Sequence, residues 1–277
     1  MPLARTADLV AAAYRAGTGV LAFNVITLEY AEAIVAGAEK ANRPVILQLS
    51  ENAVKFHHGR LAPIAAATTA VAAAAGVPAS VHLDHVEDVT LLHAGAENGV
   101  SSAMFDAAKL DYEANVEATR AAAQWAHQRG IFLEAELGEV GGKDGAHAPG
   151  VRTDPAEAAA FVAGTGVDAL AVAVGSSHAM SERTASLEFD LIAQLRSAVP
   201  VPLVLHGSSG VADEDLRRAV SAGITKINVG TLLNVRFTNA VREHLASDES
   251  VTDPRKYLAP ARTAIADAVA AVLEAIA

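Results

Sequence analysis

The sequence predicts a closed barrel of eight parallel strands wrapped by helices, the (β/α)8 TIM-barrel class of α/β fold, in one domain over residues 1–277. Three observations lead there. Short runs rich in valine, isoleucine and leucine recur eight times. Alanine-rich helical stretches separate most of them. Polar residues appear at or just after the same end of all eight runs. Strands alternating with helices pair in parallel through crossovers, and eight such units suit a chain of 277 residues. An open doubly wound sheet is the alternative. Such sheets usually begin with a glycine-rich first turn, and FNVITLEYAEAI after the first run contains no glycine.

Taken in order, the runs are GVLAFNV (19–25), PVILQLS (44–50), ASVHLDH (79–85), VSSAMFD (100–106), IFLEAEL (131–137), DALAVAV (168–174), VPLVLH (201–206) and ITKINVG (224–230). Helix signals lie between them. TDPAEAAAFVAG offers Asp154 as N-cap, Pro155 at the first helical position and Glu157 to close a capping box. ADEDLRRAVSAG starts on Asp213 and stops at Gly223. The tail APARTAIADAVAAVLEAIA (259–277) reads as a final helix. The longest irregular piece, GEVGGKDGAHAPGVRTDP (138–155), has the length and glycine content of an active-site lid.

Composition removes several function classes. Net charge is −11, from 21 basic and 32 acidic residues, and no Lys/Arg cluster reaches the density of a nucleic-acid groove. There is no cysteine, so a metal would have to sit on His, Asp or Glu. MPLARTADLV lacks the apolar core of a signal peptide, and no apolar run reaches membrane length. The expectation is a soluble cytoplasmic protein without nucleic-acid or membrane partners.

In a barrel of this kind the site forms at the C-terminal ends of the strands. Asn24 and Ser50 end the first two runs, Asp84 and His85 the third, Asp106 the fourth. Glu134 and Glu136 lie on the fifth, His178 follows the sixth, His206 ends the seventh and Asn228 lies near the end of the eighth. A lone histidine is usually part of a satisfied core. Three at strand ends make a three-imidazole site with an open fourth position, the arrangement of a catalytic zinc. The other histidines read as structural: His57 and His58 in a mobile loop, His93, His127 and His244 on helix surfaces. His147 in the long loop could reach the site, and His82, facing away from Leu83, could support it from behind. HGSSG (206–210) and NVGT (228–231) open onto helices and could cradle a phosphate with backbone N–H groups.

The segments AFNV, HLDH, EAELGEVGG, LAVAVGSSH, VPLVLHGSSG, KINVGT and DPRKYLAPAR, in this order from about residue 3 to the end of the sequence, resemble the class II, metal-dependent ketose-bisphosphate aldolases. That family includes fructose- and tagatose-1,6-bisphosphate aldolases. The resemblance implies a lyase of carbohydrate metabolism such as glycolysis. It would reversibly cleave a phosphorylated ketose into dihydroxyacetone phosphate and an aldehyde, with Zn2+ stabilising the enediolate. It implies one zinc per subunit on His85, His178 and His206, an alternative metal position at Asp106 and Glu136, and Asp84 as the proton-transfer group. It also implies substrate contacts at Asn24, Ser50, Ala179, Gly207, Ser208, Ser209, Asn228, Val229, Gly230, Thr231 and Arg255, the last often across a subunit interface. A homodimer or homotetramer is implied, with a monovalent cation as a further candidate ion.

The chain departs from the family pattern in places. Ala179 and Ser181 stand where glycine and an aromatic are common, and DAAK (106–109) replaces DGS. The lid carries Lys143 where an acid is common, leaving Asp144 or Glu139 for that role. Gly230 stands where fructose-type members carry a larger polar residue. An aldolase for a variant anionic ketose phosphate, such as a deoxy-keto-gluconate phosphate or a sulfonated sugar, therefore stays open. So does a non-catalytic barrel supporting a partner aldolase. A metal-dependent hydrolase is disfavoured, because Phe23 and Asn24 stand where such enzymes carry two histidines on the first strand.

Overall fold

Each apolar run becomes one strand, and the eight strands close on themselves. The computed structural model describes residues 3–137, 151–176 and 183–276. The elements follow as α1 (Thr6–Ala16), β1 (Val20–Asn24), α2 (Leu28–Ala41), β2 (Val45–Ser50), α3 (Glu51–Phe56), α4 (Leu61–Ala74), β3 (Ala79–Val86), α5 (Val89–Glu97), β4 (Ser102–Phe105) and α6 (Tyr112–His127). Then come β5 (Phe132–Glu136), α7 (Pro155–Thr165), β6 (Ala169–Ala171), α8 (Phe189–Ala198), β7 (Leu203–Leu205), α9 (Asp213–Ala222), β8 (Ile224–Val229), α10 (Thr231–Ser247) and α11 (Pro254–Ala275). All neighbouring strands pair in parallel, in the order β1 to β8, and β8 returns to β1. The fold is a (β/α)8 TIM barrel.

Period-two alternation divides the strand residues between two environments. Leu21, Phe23, Val45, Leu47, Val81, Leu83, Leu133, Ala135, Leu203 and Leu205 belong to one continuous apolar shell with the inner faces of the helices. Residues of the opposite parity face the barrel interior. Near the N-terminal end these are apolar, Val20, Ala22 and Ile46 packing with Val10 and Ala13 of α1. Ala169, Ala171 and Val204 form a second small group with Phe132. Helix α1 is tied across this end: Thr6 Oγ1 donates to Ser80 Oγ at 2.9 Å, and its N–H donates to Ser101 Oγ at 3.1 Å. Toward the C-terminal ends the interior turns polar, with His82, Asp84, Glu134, Glu136, His206, Lys226 and Asn228 all buried.

Local signals mostly act as expected. Asp154 accepts from the N–H groups of Ala156 and Glu157 and Pro155 opens α7. Gly223 ends α9. Two expectations need correction. The last helix begins at Pro254, not at residue 259, because Asp253 and Pro254 repeat the Asp–Pro start seen at α7: Asp253 accepts from Arg255 N–H. His57 is not in a mobile loop. It caps α3, with Nε2 2.7 Å from the Ile26 carbonyl oxygen. Among the described residues no helix is long and apolar enough to cross a membrane.

Candidate active site

A cavity of about 660 Å³ opens at the C-terminal end of the barrel. Asn24, Ser50, Asp84, His85, Asp106, Gly207, Ser209, Asn228, Gly230 and Thr231 all line it. These ten residues come from six strand ends or their following turns, and the fold alone brings them together.

The end of β3 solves a geometric problem. Strict alternation would put Asp84 inside the barrel and send His85 outward beside Leu83. The pairing of β3 with β4 instead slips between Leu83 and Val86: Leu83 faces Ala103 and Val86 faces Phe105, so one residue is extra on β3. At this bulge His85 takes φ +49°, a region that L residues other than glycine rarely adopt. The extra residue lets both neighbouring side chains reach the cavity.

His85 Nδ1 lies 2.9 Å from Asp106 Oδ2, and His206 Nε2 lies 3.0 Å from Glu134 Oε1. Each imidazole therefore turns one nitrogen toward a carboxylate. The remaining nitrogens, His85 Nε2 and His206 Nδ1, face each other at 3.0 Å. Carboxylates behind histidines fix the tautomer and raise the basicity of the nitrogen in front. Two nitrogen ligands on a tetrahedral centre with ordinary metal–nitrogen lengths would stand roughly 3.3 Å apart. One ligand atom each from Asp84, His85 and His206 lie within 4.8 Å of one another, and the same holds for His85, Asp106 and Glu136. This donor set suits a divalent cation that takes nitrogen and oxygen ligands.

The electrostatics agree. Burial works against a charge on His85, but Asp84, the hydrogen bond to Asp106 and the nearby Glu136 raise its pKa to about 10. The site thus demands positive charge at the imidazole. His82, three residues back and fully buried, has the opposite environment: burial and the neighbouring Lys226 push its pKa well below the usual value. Its Nδ1 lies 2.8 Å from Ser102 Oγ, which places it behind the site as a neutral group.

Asp84 is held by two amides. Asn228 Nδ2 donates to Oδ1 at 3.2 Å and Gln48 Nε2 to Oδ2 at 3.3 Å. Gln48 Nε2 also donates to Asn24 Oδ1 at 2.8 Å, while its own buried Oε1 has no partner among the described residues. Behind Asn228, Lys226 Nζ donates to Asn228 Oδ1 and to Glu134 Oε2, both at 2.8 Å.

After β7, Gly207 adopts φ +66° and turns the chain into a short 3-10 turn, Ser208–Gly210. Ser208 Oγ donates to the Asn228 carbonyl oxygen, and Ser209 Oγ accepts from the N–H of Leu232 at the start of α10. The two glycine turns are thereby locked side by side. At Gly230 an added Cβ would stand 2.9 Å from Asn24 Oδ1, so a larger residue there would have to displace Asn24.

Several expected residues stand elsewhere. Val229 packs in the apolar shell, so its side chain is turned away from the cavity. Ser208 is buried in the turn and does not line the cavity. Arg255 is not a lining residue. It sits in the first turn of α11, 89% exposed, bonded to Asp253. His178, Ala179, Lys143, Asp144, Glu139 and His147 lie outside the described residues. The reading from sequence missed Gln48 and Lys226 and gave Glu134 no role. Their signal was parity: each stands two residues before an expected site residue on the same strand, Gln48 before Ser50, Glu134 before Glu136 and Lys226 before Asn228.

Comparison with known proteins places this geometry. The family model for class II fructose-bisphosphate aldolases matches residues 4–277. The chain belongs to the class II fructose-bisphosphate aldolase family. A fructose-bisphosphate aldolase from Geobacillus stearothermophilus is 39% identical over 275 residues, covering 96% of this chain and 93% of that one. One from Staphylococcus epidermidis is 37% identical over 279 residues, covering 97% and 95%. The crystal structure of the YdjI aldolase from Escherichia coli K12 superposes with a TM-score of 0.84 at 31% identity, covering 99% of this chain and 97% of that one. The protein is accordingly an aldolase, a carbon–carbon lyase of carbohydrate metabolism.

Proposed function

We propose that this class II aldolase reversibly cleaves a ketose bisphosphate of the fructose or tagatose kind into dihydroxyacetone phosphate and an aldehyde, with zinc as its metal. The observation that carries the reading is the pair of facing imidazole nitrogens, 3.0 Å apart, each backed by a carboxylate and flanked by Asp84. His85 and His206 would hold the ion, with His178 as third ligand. Asp106 and Glu136 would offer a second position around His85. A bound zinc supplies a Lewis acid for the negative charge that develops as the C3–C4 bond breaks.

The chain's own groups do the rest. Asp84 accepts the C4-hydroxyl proton in cleavage and returns it in condensation. The Asn228 and Gln48 amides hold the carboxylate at the bond being broken. The turns Gly207–Ser209 and Asn228–Thr231, with Ser50, Ala179 and Asn24, bind the phosphate and hydroxyls of the dihydroxyacetone half. Arg255, which does not line its own cavity, would meet the distal phosphate of a neighbouring subunit in a homodimer or homotetramer. The same reading takes the chain as one cytoplasmic domain.

The second reading, a variant anionic ketose phosphate, is favoured by Gly230. Its lack of a Cβ leaves Asn24 where a larger residue would intrude. One experiment tests both. Purified protein is treated with EDTA, reloaded with zinc, and offered a panel of ketose phosphates while dihydroxyacetone phosphate release is followed. Loss with chelator and recovery with zinc is the expected result, and the panel selects the sugar. Activity that survives complete chelation, or zinc-loaded protein that cleaves nothing, would overturn the reading.

A further inference from the structure

Lys226 and Glu134 are completely buried, and their ion pair spans the barrel interior between β8 and β5, strands that are not neighbours. Two apolar residues of similar volume would hold such an interior together at least as well, because removing charges from water is costly. The pair does something an apolar pair could not. Lysine has donors only, so its contact at 2.8 Å selects the oxygen end of the Asn228 amide. The NH2 end is thereby turned to Asp84 Oδ1 at 3.2 Å. An amide turned the other way would set oxygen against carboxylate and NH2 against ammonium. The second oxygen of Glu134 faces His206 Nε2 at 3.0 Å, so one ion pair orders both the imidazole and the carboxylate sides of the site.

We infer that Lys226 is a positioning residue that acts through Asn228: it sets the direction of that amide and so holds Asp84 for proton transfer. The inference rests on the reading of Asp84 given under the proposed function. Neither Lys226 nor Glu134 touches substrate in this scheme.

The test compares two double variants that remove both charges together, K226M/E134Q and K226Q/E134Q. A glutamine at 226 can accept from position 134 and still donate to Asn228 Oδ1, whereas methionine cannot. The expected result is a kcat for K226M/E134Q at least about tenfold below that of K226Q/E134Q. KM and zinc affinity from chelator competition should agree between the two within about twofold. A second readout needs no metal and no activity. In metal-free protein labelled with 15N-asparagine, with the Asn228 NH2 signal identified by its loss in N228A, solvent exchange should be at least about tenfold faster in K226M/E134Q than in K226Q/E134Q. Equal kcat and equal exchange in the two doubles would overturn the proposal. If K226M/E134Q does not fold, K226Q/E134Q is compared with N228A, and a kcat no better than that of N228A overturns it. If zinc-loaded wild-type protein cleaves no ketose phosphate, the functional reading fails, and the exchange measurement alone still decides the role of Lys226.

Discussion

The two faces of the barrel strands obey different rules. Outside, Leu21, Phe23, Leu47, Leu83, Leu133 and Leu203 merge with the helices into one continuous apolar layer. Inside, the described residues form two small apolar groups, both without the polar residues of the mouth. Above them lie a buried ion pair, buried imidazoles and buried carboxylates. The outer layer removes apolar area from water and supplies the stability. That surplus lets the interior hold charged groups that contribute little to folding and a great deal to chemistry. Substitutions on the two faces should therefore separate activity from stability.

The largest expected effect lies inside. Asp84→Asn keeps the shape and removes the proton acceptor, so kcat should fall by about 10²–10⁴-fold with the thermal midpoint nearly unchanged. Steady-state release of dihydroxyacetone phosphate beside a melting curve checks it. A large drop in the midpoint would erase the contrast between the faces. Outside, Phe161→Ala on α7 empties a completely buried ring position and should cost about 3–5 kcal/mol in urea unfolding. The folded fraction should retain its kcat.

Gly230→Ala sharpens the comparison at the mouth. Its φ lies on the ordinary side, so the new methyl acts only by pushing Asn24 from its contact with Gln48. A rise in KM of about tenfold is expected with kcat changed less, since the loss is one hydrogen-bonded contact. The smallest effect belongs to the rim. Burial of Glu51 is outweighed by hydrogen bonds from Lys55 and from the N–H groups of Glu87 and Asp88, so its pKa is lowered. A carboxylate whose folded pKa is depressed contributes stability that is present above its unfolded value near 4.5 and lost as pH falls through the folded value. Glu51→Gln should flatten the decline of unfolding free energy below about pH 4.5. An unaltered acid limb would show that those hydrogen bonds carry no net stability.

Much of this is legible in the sequence alone. Eight apolar runs at regular spacing specify eight strands because a buried strand needs such a run and a crossover needs the helix that follows it. The Asp154–Pro155 start was legible because capping is chemistry within one turn. The histidines and carboxylates of the mouth were legible because they break apolar runs at a constant end. Lys226 was not. A lysine inside a strand normally reads as an exposed residue, and its partner Glu134 lies 92 positions away.

What the sequence determined by itself is the set of elements, their order, and the residue types at each strand end, since these depend on local periodicity and short-range capping. Only the tertiary structure decided which way His85 points and which end of Asn228 meets Asp84. The first depends on a bulge against β4. The second depends on an ion pair reaching across a closed barrel. Both are contacts between distant segments, and such contacts exist only once eight strands have closed into a ring.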